Sequence, residues 1–200
     1  MPRLSAYLLV YHGSSDFRPQ RAALAIAHFF SERICHIGEG MPHSLPSSPL
    51  LSPPSPVDVA ALEGDIPLHQ KIFQLGQTLL LAKPDHDISE SGRLLVLPLF
   101  LLPGVHVMED IPAEVALAQT ALGQKIGIEM MPHLGSHPGL YRLIAEQLSA
   151  LPVEASILLS HGSRRSGANQ PIAALAERLG AIPAYWSISP DLESRVQELM

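Results

Sequence analysis

The 200-residue sequence holds a single cysteine, Cys35. One thiol closes no internal disulfide and builds no all-cysteine zinc site, so metal chemistry here has to rest on histidine and carboxylate. A long apolar run is also missing. Hydrophobic residues make up 46% of the chain and mean hydropathy is +0.19, yet no stretch reaches the roughly 18 uncharged apolar residues needed to span a bilayer. The opening run Ala6 to Tyr11 ends in His-Gly without a small-residue cleavage pattern, so no secretory leader is expected. A soluble, cytoplasmic protein is. Positive charge is scarce: 13 Lys+Arg against 19 Asp+Glu leave a net charge of −6, and no basic run marks a nucleic-acid or membrane surface. At this length a sizeable core is available without covalent staples.

What the chain does carry is alternation. Apolar runs at residues 6–11, 57–62, 93–100, 125–131 and 156–160 read as strands. Between them, helical spacing links Ala22, Ile26, Phe29 and Phe30, then Leu68, Ile72, Leu75 and Leu79, then Ile111, Val115, Ala118 and Leu122, then Leu140, Ile144 and Leu148. Strands that are apolar throughout are covered on both faces, and strict strand-helix alternation implies right-handed crossovers. The expected fold is α/β, a parallel sheet with helices on both faces. Stretch 41–56, with six prolines and five serines, forbids helix and central strand alike and reads as an extended surface insertion.

The sequence also repeats. YLLVYHGSSDFRPQRAALAIA (7–27) and SILLSHGSRRSGANQPIAALA (156–176) share a strand, His-Gly-Ser and an Ala-rich helix, with His161 and Ser163 lying 149 residues after His12 and Ser14. GDIPLHQKI (64–72) and SISPDLESRV (187–196) correspond in turn. The expected organisation is a complete unit over 1–152 and the first half of a truncated second copy over 153–200.

Ligands of parallel sheets sit beyond the carboxyl ends of the strands, which directs attention to three residues. His12 follows the first strand in YHGSS. It reads either as an imidazole at the sheet rim or as part of an anion-binding turn. His106 follows the third strand on a loop begun by Pro103-Gly104, leaving the same sheet edge as His12, with Asp110 read as the cap of the next helix. Glu63 follows the second strand. Alone it reads as a solvated carboxylate, with Asp65 as the helix cap, but with two imidazoles it completes a mixed nitrogen and oxygen set suited to Fe²⁺, Co²⁺ or Ni²⁺. Serine nucleophile chemistry is disfavoured, because neither HGSS nor HGSR matches a Gly-x-Ser-x-Gly elbow. His133 and His137 are four apart, but Pro132, Gly135 and Pro138 interrupt the helix that would pair them. His28, His36, His43, His69 and His86 read as surface or loop residues.

Taken together, YHGSS, ALEGDIPLHQKI, LPLFLLPGVHVMEDIP and MPHLGSHPGL resemble the class II chelatases that metallate sirohydrochlorin, the CbiX/SirB type. The resemblance covers the first 150 residues apart from the proline-rich insertion, and the LPLFL-x-PG-x-H-x-x-x-DIP string is its most specific part. It implies that His12, Glu63 and His106 hold the metal and carry the catalysis, that a sirohydrochlorin-type tetrapyrrole binds above the sheet, and that Co²⁺ or Fe²⁺, with Ni²⁺ a third choice, is inserted toward cobalamin or sirohaem without an organic cofactor. Ser14, Arg18 and Arg21 are candidates to meet the carboxylates of such a substrate. Aligning Pro67 with Pro190 sets Trp186 opposite Glu63, and the counterpart of His106 falls beyond residue 200, so any activity rests on the first copy. The apolar edge of a two-strand remnant predicts docking on the first copy or a homodimer. Two other readings remain open: a non-catalytic metal-delivery protein using the same residues, and an anion-binding domain using the two HGS turns.

Overall fold

The computed structural model describes residues 4–38, 56–82 and 92–200, so the insertion at 41–56, except Pro56, lies outside the described residues, as do His43 and His86. The chain divides into two compact units. One runs through Phe100 and adds Val105–His133; the other takes Leu101–Gly104 and Leu134–Met200.

In the first unit β1 (Ser5–Tyr11), β2 (Val57–Ala61), β3 (Gly92–Pro98) and β4 (Ile126–Met130) form a parallel sheet in the order β2-β1-β3-β4. Helices α1 (Phe17–Gly38), α2 (Leu68–Leu81) and α3 (Ile111–Leu122) make the crossovers. Leaving β1, the chain moves one way to β2, then crosses back over β1 to β3 and continues to β4. Right-handed crossovers in opposite directions put α1 on one face and α2 with α3 on the other. The point where the direction reverses, between β1 and β3, is where the loops diverge and a ligand crevice opens.

The burial pattern explains why these runs become strands. Ala6, Leu8 and Val10 of β1, with Leu94 and Val96 of β3 and Ile126 of β4, join Leu68, Ile72, Leu75 and Leu79 of α2 and Ile111, Ala118 and Leu122 of α3 in one core. The alternate residues Leu9 and Leu95 are buried as well, as are Ala23 and Ala27 of α1. Tyr7 meets Phe30 edge to face, with ring centroids 5.1 Å apart. Both faces of the sheet are thus covered, which is why the strands carry no polar alternation.

The second unit contains α4 (Pro138–Ser149), β5 (Ile157–Ser160), α5 (Gln170–Leu179), β6 (Ile182–Tyr185) and α6 (Leu192–Leu199), with β5 and β6 parallel. Tyr141 of α4 donates its hydroxyl to the Arg178 carbonyl at 3.0 Å, and the Arg178 guanidinium lies 4.1 Å from the Tyr141 ring centroid. The expected α/β class with a parallel sheet and helices on both faces is what the first unit shows. Among the described residues, no helix is long and apolar enough to cross a membrane.

Candidate metal centre

Strand register sets the first two side chains. Tyr11 pairs with Ala61 at the ends of β1 and β2, and the ladder continues one step further: Leu62 N–H donates to the Tyr11 carbonyl and Glu63 N–H to the His12 carbonyl, each at 2.8 Å. The turn that follows His12 depends on Gly13, whose φ of +96° is a region L side chains avoid. A Cβ there would also stand 2.4 Å from the Glu63 carbonyl oxygen. Close backbone approach is therefore the device that brings Glu63 beside His12, and glycine is the residue that permits it.

His106 arrives differently. Sequence reading put it on a loop, whereas His106–Asp110 forms a π-helical turn that runs straight into α3. Wide turns of this kind are rare, and they recur at functional sites. The expected cap is corrected with it. Asp110 has helical backbone angles and its side chain caps nothing; it lies 2.7 Å from Nδ1 of His106 one turn back.

The three side chains meet. One donor atom from each of His12, Glu63 and His106 can be chosen so that all lie within 4.8 Å of one another, among the described residues the one such group of three or more. His12 Nδ1 is 3.8 Å from Glu63 Oε2 and 2.9 Å from the Gly13 carbonyl. The two imidazoles stand edge to face with centroids 4.8 Å apart, and Phe100 lies within 6.4 Å of both. Side chains of His12 and Glu63 are 52% and 61% exposed, while that of His106 is 33% exposed. Such a set has two nitrogens and a carboxylate, open toward solvent. It can hold a divalent ion while leaving positions for other ligands, unlike a closed four-ligand structural site.

Two cavities adjoin the cluster. One, of about 440 Å³, is lined by Glu63, His106, Asp110 and Glu114 among others. The second, of about 700 Å³, includes Ser14, Ser15, Glu63, Asp65 and Lys71 in its wall. Of the proposed substrate contacts, Ser14 therefore lines a cavity. Arg18 is held by Asp16, its Nε donating to Oδ2 at 2.7 Å. That pairing pulls the Asp16 carboxyl below its ordinary range and raises the Arg18 guanidinium. Arg21 lies 5.9 Å from the Phe17 ring centroid.

The second expected cap is also corrected. Asp65 does not cap α2, whose first residue follows Pro67. Glu114 of α3 does so from 45 positions away, its Oε2 accepting from both His69 N–H and His69 Nδ1 at 2.8 Å. His133 donates Nδ1 to the Phe100 carbonyl at 3.1 Å, and His137 caps α4 by accepting from Gly139 N–H at 3.0 Å. His28 pairs with Glu32 at 3.4 Å along α1.

In the second unit the repeat survives down to the backbone. Gly162 has φ +80°, His161 Nδ1 lies 3.1 Å from its carbonyl, and Trp186 and Ser187 donate to the Ser160 and His161 carbonyls at 2.8 and 2.9 Å. This ladder corrects the alignment on prolines: Ser187, rather than Trp186, occupies the position of Glu63. One residue fewer separates it from its proline, Ser187 to Pro190 against Glu63 to Pro67, so aligning the prolines slips the register by one.

The chain matches the CbiX family model over residues 85–151. No curated protein matches the sequence. Among solved structures it is similar to the sirohydrochlorin chelatase SirB from Bacillus subtilis subspecies spizizenii in complex with cobalt, at 19% identity and a TM-score of 0.64, covering 98% of this chain and 71% of that one. It is also similar to CbiX, the terminal enzyme for biosynthesis of sirohaem in denitrifying bacteria, at 23% identity and a TM-score of 0.53, covering 93% and 71%. A third likeness is DR2241 from Deinococcus radiodurans, a multi-domain protein with structural similarity to chelatases, at 19% identity and a TM-score of 0.53, covering 93% of this chain and 39% of that one. The fold is that of the CbiX and SirB chelatases.

Proposed function

We propose that this chain, whose CbiX segment and chelatase fold support membership of the sirohydrochlorin chelatase family, inserts Co²⁺ or Fe²⁺ into a sirohydrochlorin-type tetrapyrrole through His12, Glu63 and His106. The observation that carries the reading is the convergence of those side chains from three different strand ends onto one open donor set. On this reading residues 1–152 act as the catalytic unit, and residues 153–200 repeat its first turn with Ser187 at the position of Glu63.

The chemistry follows from the donor types. The metal enters as substrate, held by two neutral imidazoles and a carboxylate. The ring gains bonds from its nitrogens to the ion as two pyrrole N–H protons depart, so each insertion releases two protons. Glu63, and each imidazole Nε2 as the ion passes from it to the ring, are the bases within reach. Because they are only three, and His12 and Glu63 are exposed, the ion is not enclosed, and its remaining positions accept the ring nitrogens. Val105 and Met108, exposed on either side of His106 in the chain, offer apolar surface for the flat face of a macrocycle. Ser14 and Lys71 on the larger cavity supply polar groups for peripheral carboxylates. Ion choice between cobalt, iron and nickel rests on supply and geometry, since the affinity order is common to such ligands.

The test is sirohydrochlorin absorbance on addition of Co²⁺ or Fe²⁺. The intact protein accelerates insertion, and His106→Ala lowers the rate by at least about 100-fold, the size of one well-placed ligand and base, with far-UV circular dichroism unchanged. Full turnover by His106→Ala removes that residue from the mechanism. Stoichiometric Co²⁺ uptake with no spectral response from the tetrapyrrole favours metal delivery without catalysis.

A further inference from the structure

Asp110 makes no helix-capping bond, yet its carboxylate sits 2.7 Å from Nδ1 of His106. A carboxylate oxygen only accepts, so this contact requires the proton on Nδ1 and leaves the Nε2 lone pair free. We infer that Asp110 is a positioning residue that fixes the tautomer and orientation of His106 so that Nε2 is presented to the ion. The inference rests on the reading of His106 as a metal ligand.

Three features of the fold support it. The two residues are four apart on a segment of π-helical pitch, which brings the carboxylate to the Nδ1 edge of the ring. Burial is intermediate, with the His106 side chain 33% exposed, so water competes less for Nδ1 than at an open surface. Finally, the other imidazole of the set is posed in the same sense by a different acceptor: His12 donates Nδ1 to the Gly13 carbonyl at 2.9 Å. Histidine ligands are commonly oriented in this way by a hydrogen bond from the second nitrogen, and loss of that acceptor weakens metal binding by about 10- to 100-fold.

The test uses the intact chain with Co²⁺ alone as the probe, beside long-range ¹H–¹⁵N correlation spectra of the metal-free protein. In the parent protein the His106 spectrum shows the Nδ1-protonated tautomer. Asp110→Ala mixes the two tautomers and weakens Co²⁺ binding by about 10- to 100-fold, with the thermal midpoint held near the parent value. Asp110→Asn, whose amide oxygen still accepts, recovers a substantial part of both. An Nε2-protonated His106 in the parent protein overturns the inference, and so does an Asp110→Ala variant with the parent tautomer and parent Co²⁺ affinity. Failure of the chelatase reading looks different: tetrapyrrole turnover is absent in every variant while the tautomer and Co²⁺ responses to Asp110 remain.

Discussion

Replacing Gly13 by alanine tests how the His12, Glu63 and His106 cluster is assembled without touching any of its three side chains. The glycine holds φ at +96°, and an added Cβ would stand 2.4 Å from the Glu63 carbonyl oxygen and 2.9 Å from its carbon. Backbone strain in this region costs about 1–3 kcal/mol. Forcing a methyl against backbone adds about 1–3 kcal/mol. The sum, about 2–6 kcal/mol, is relieved by parting the ends of β1 and β2, which lengthens the Glu63 N–H to His12 carbonyl bond and separates the two side chains. Gly104→Ala is the control, because a Cβ there meets nothing within 4 Å, and it should stay within about 0.5 kcal/mol. Urea unfolding followed by circular dichroism gives the stabilities, and Co²⁺ titration at low urea gives the affinities. Gly13→Ala is expected to lose both stability and metal, Gly104→Ala neither. A Gly13→Ala variant that loses less than about 1 kcal/mol and binds Co²⁺ normally would refute the claim that close backbone approach builds the site.

Two further outcomes follow from the caps. Glu114→Ala removes the carboxylate that accepts from both the His69 N–H and its ring nitrogen, and should cost about 1–2 kcal/mol in urea unfolding, with Glu114→Gln recovering part through its amide oxygen; equal stabilities for all three proteins would contradict the long-range cap. Asp191 accepts from Ser194 N–H at 2.8 Å at the start of α6, and this bond lowers its carboxyl below the ordinary value of 3.8. Because the folded pKa is depressed, the cap is fully present above the unfolded value and is lost as pH falls through the folded one. An NMR titration of the Asp191 carboxyl with its midpoint at or above 3.8 would show that the bond is not made.

The strands and helices were legible because burial on both faces of the sheet demands uninterrupted apolar runs, as in β1 and β3, and because α2 and α3 keep a helical stripe toward one core. The convergence of His12, Glu63 and His106 was legible for a related reason: parallel strands present their carboxyl ends at one edge, so residues just after β1, β2 and β3 become neighbours however far apart they are in sequence. What escaped was whatever depends on exact backbone geometry. The turn at His106–Asp110 differs from a loop only in its hydrogen-bond spacing, and it turns Asp110 from a supposed cap into a partner of His106. Glu114 reaching His69 is a contact between α2 and α3 that no local pattern announces. The slip between Trp186 and Ser187 arose because proline is a conspicuous landmark, whereas the strand ladder that sets the true correspondence is made of anonymous backbone.

The posture shared by His12 and His161 has a wider meaning. Each imidazole is turned by the carbonyl of the glycine that follows it, at 2.9 Å in one copy and 3.1 Å in the other. The second copy keeps that posture beside Ser187, which offers a hydroxyl where the first copy has a carboxylate. Aim and chemistry are thus inherited separately: the turn dictates where an imidazole looks, and the neighbouring strand end decides which side chain stands beside it. The molecule carries its own control experiment, one copy of the turn beside a carboxylate and one beside a hydroxyl.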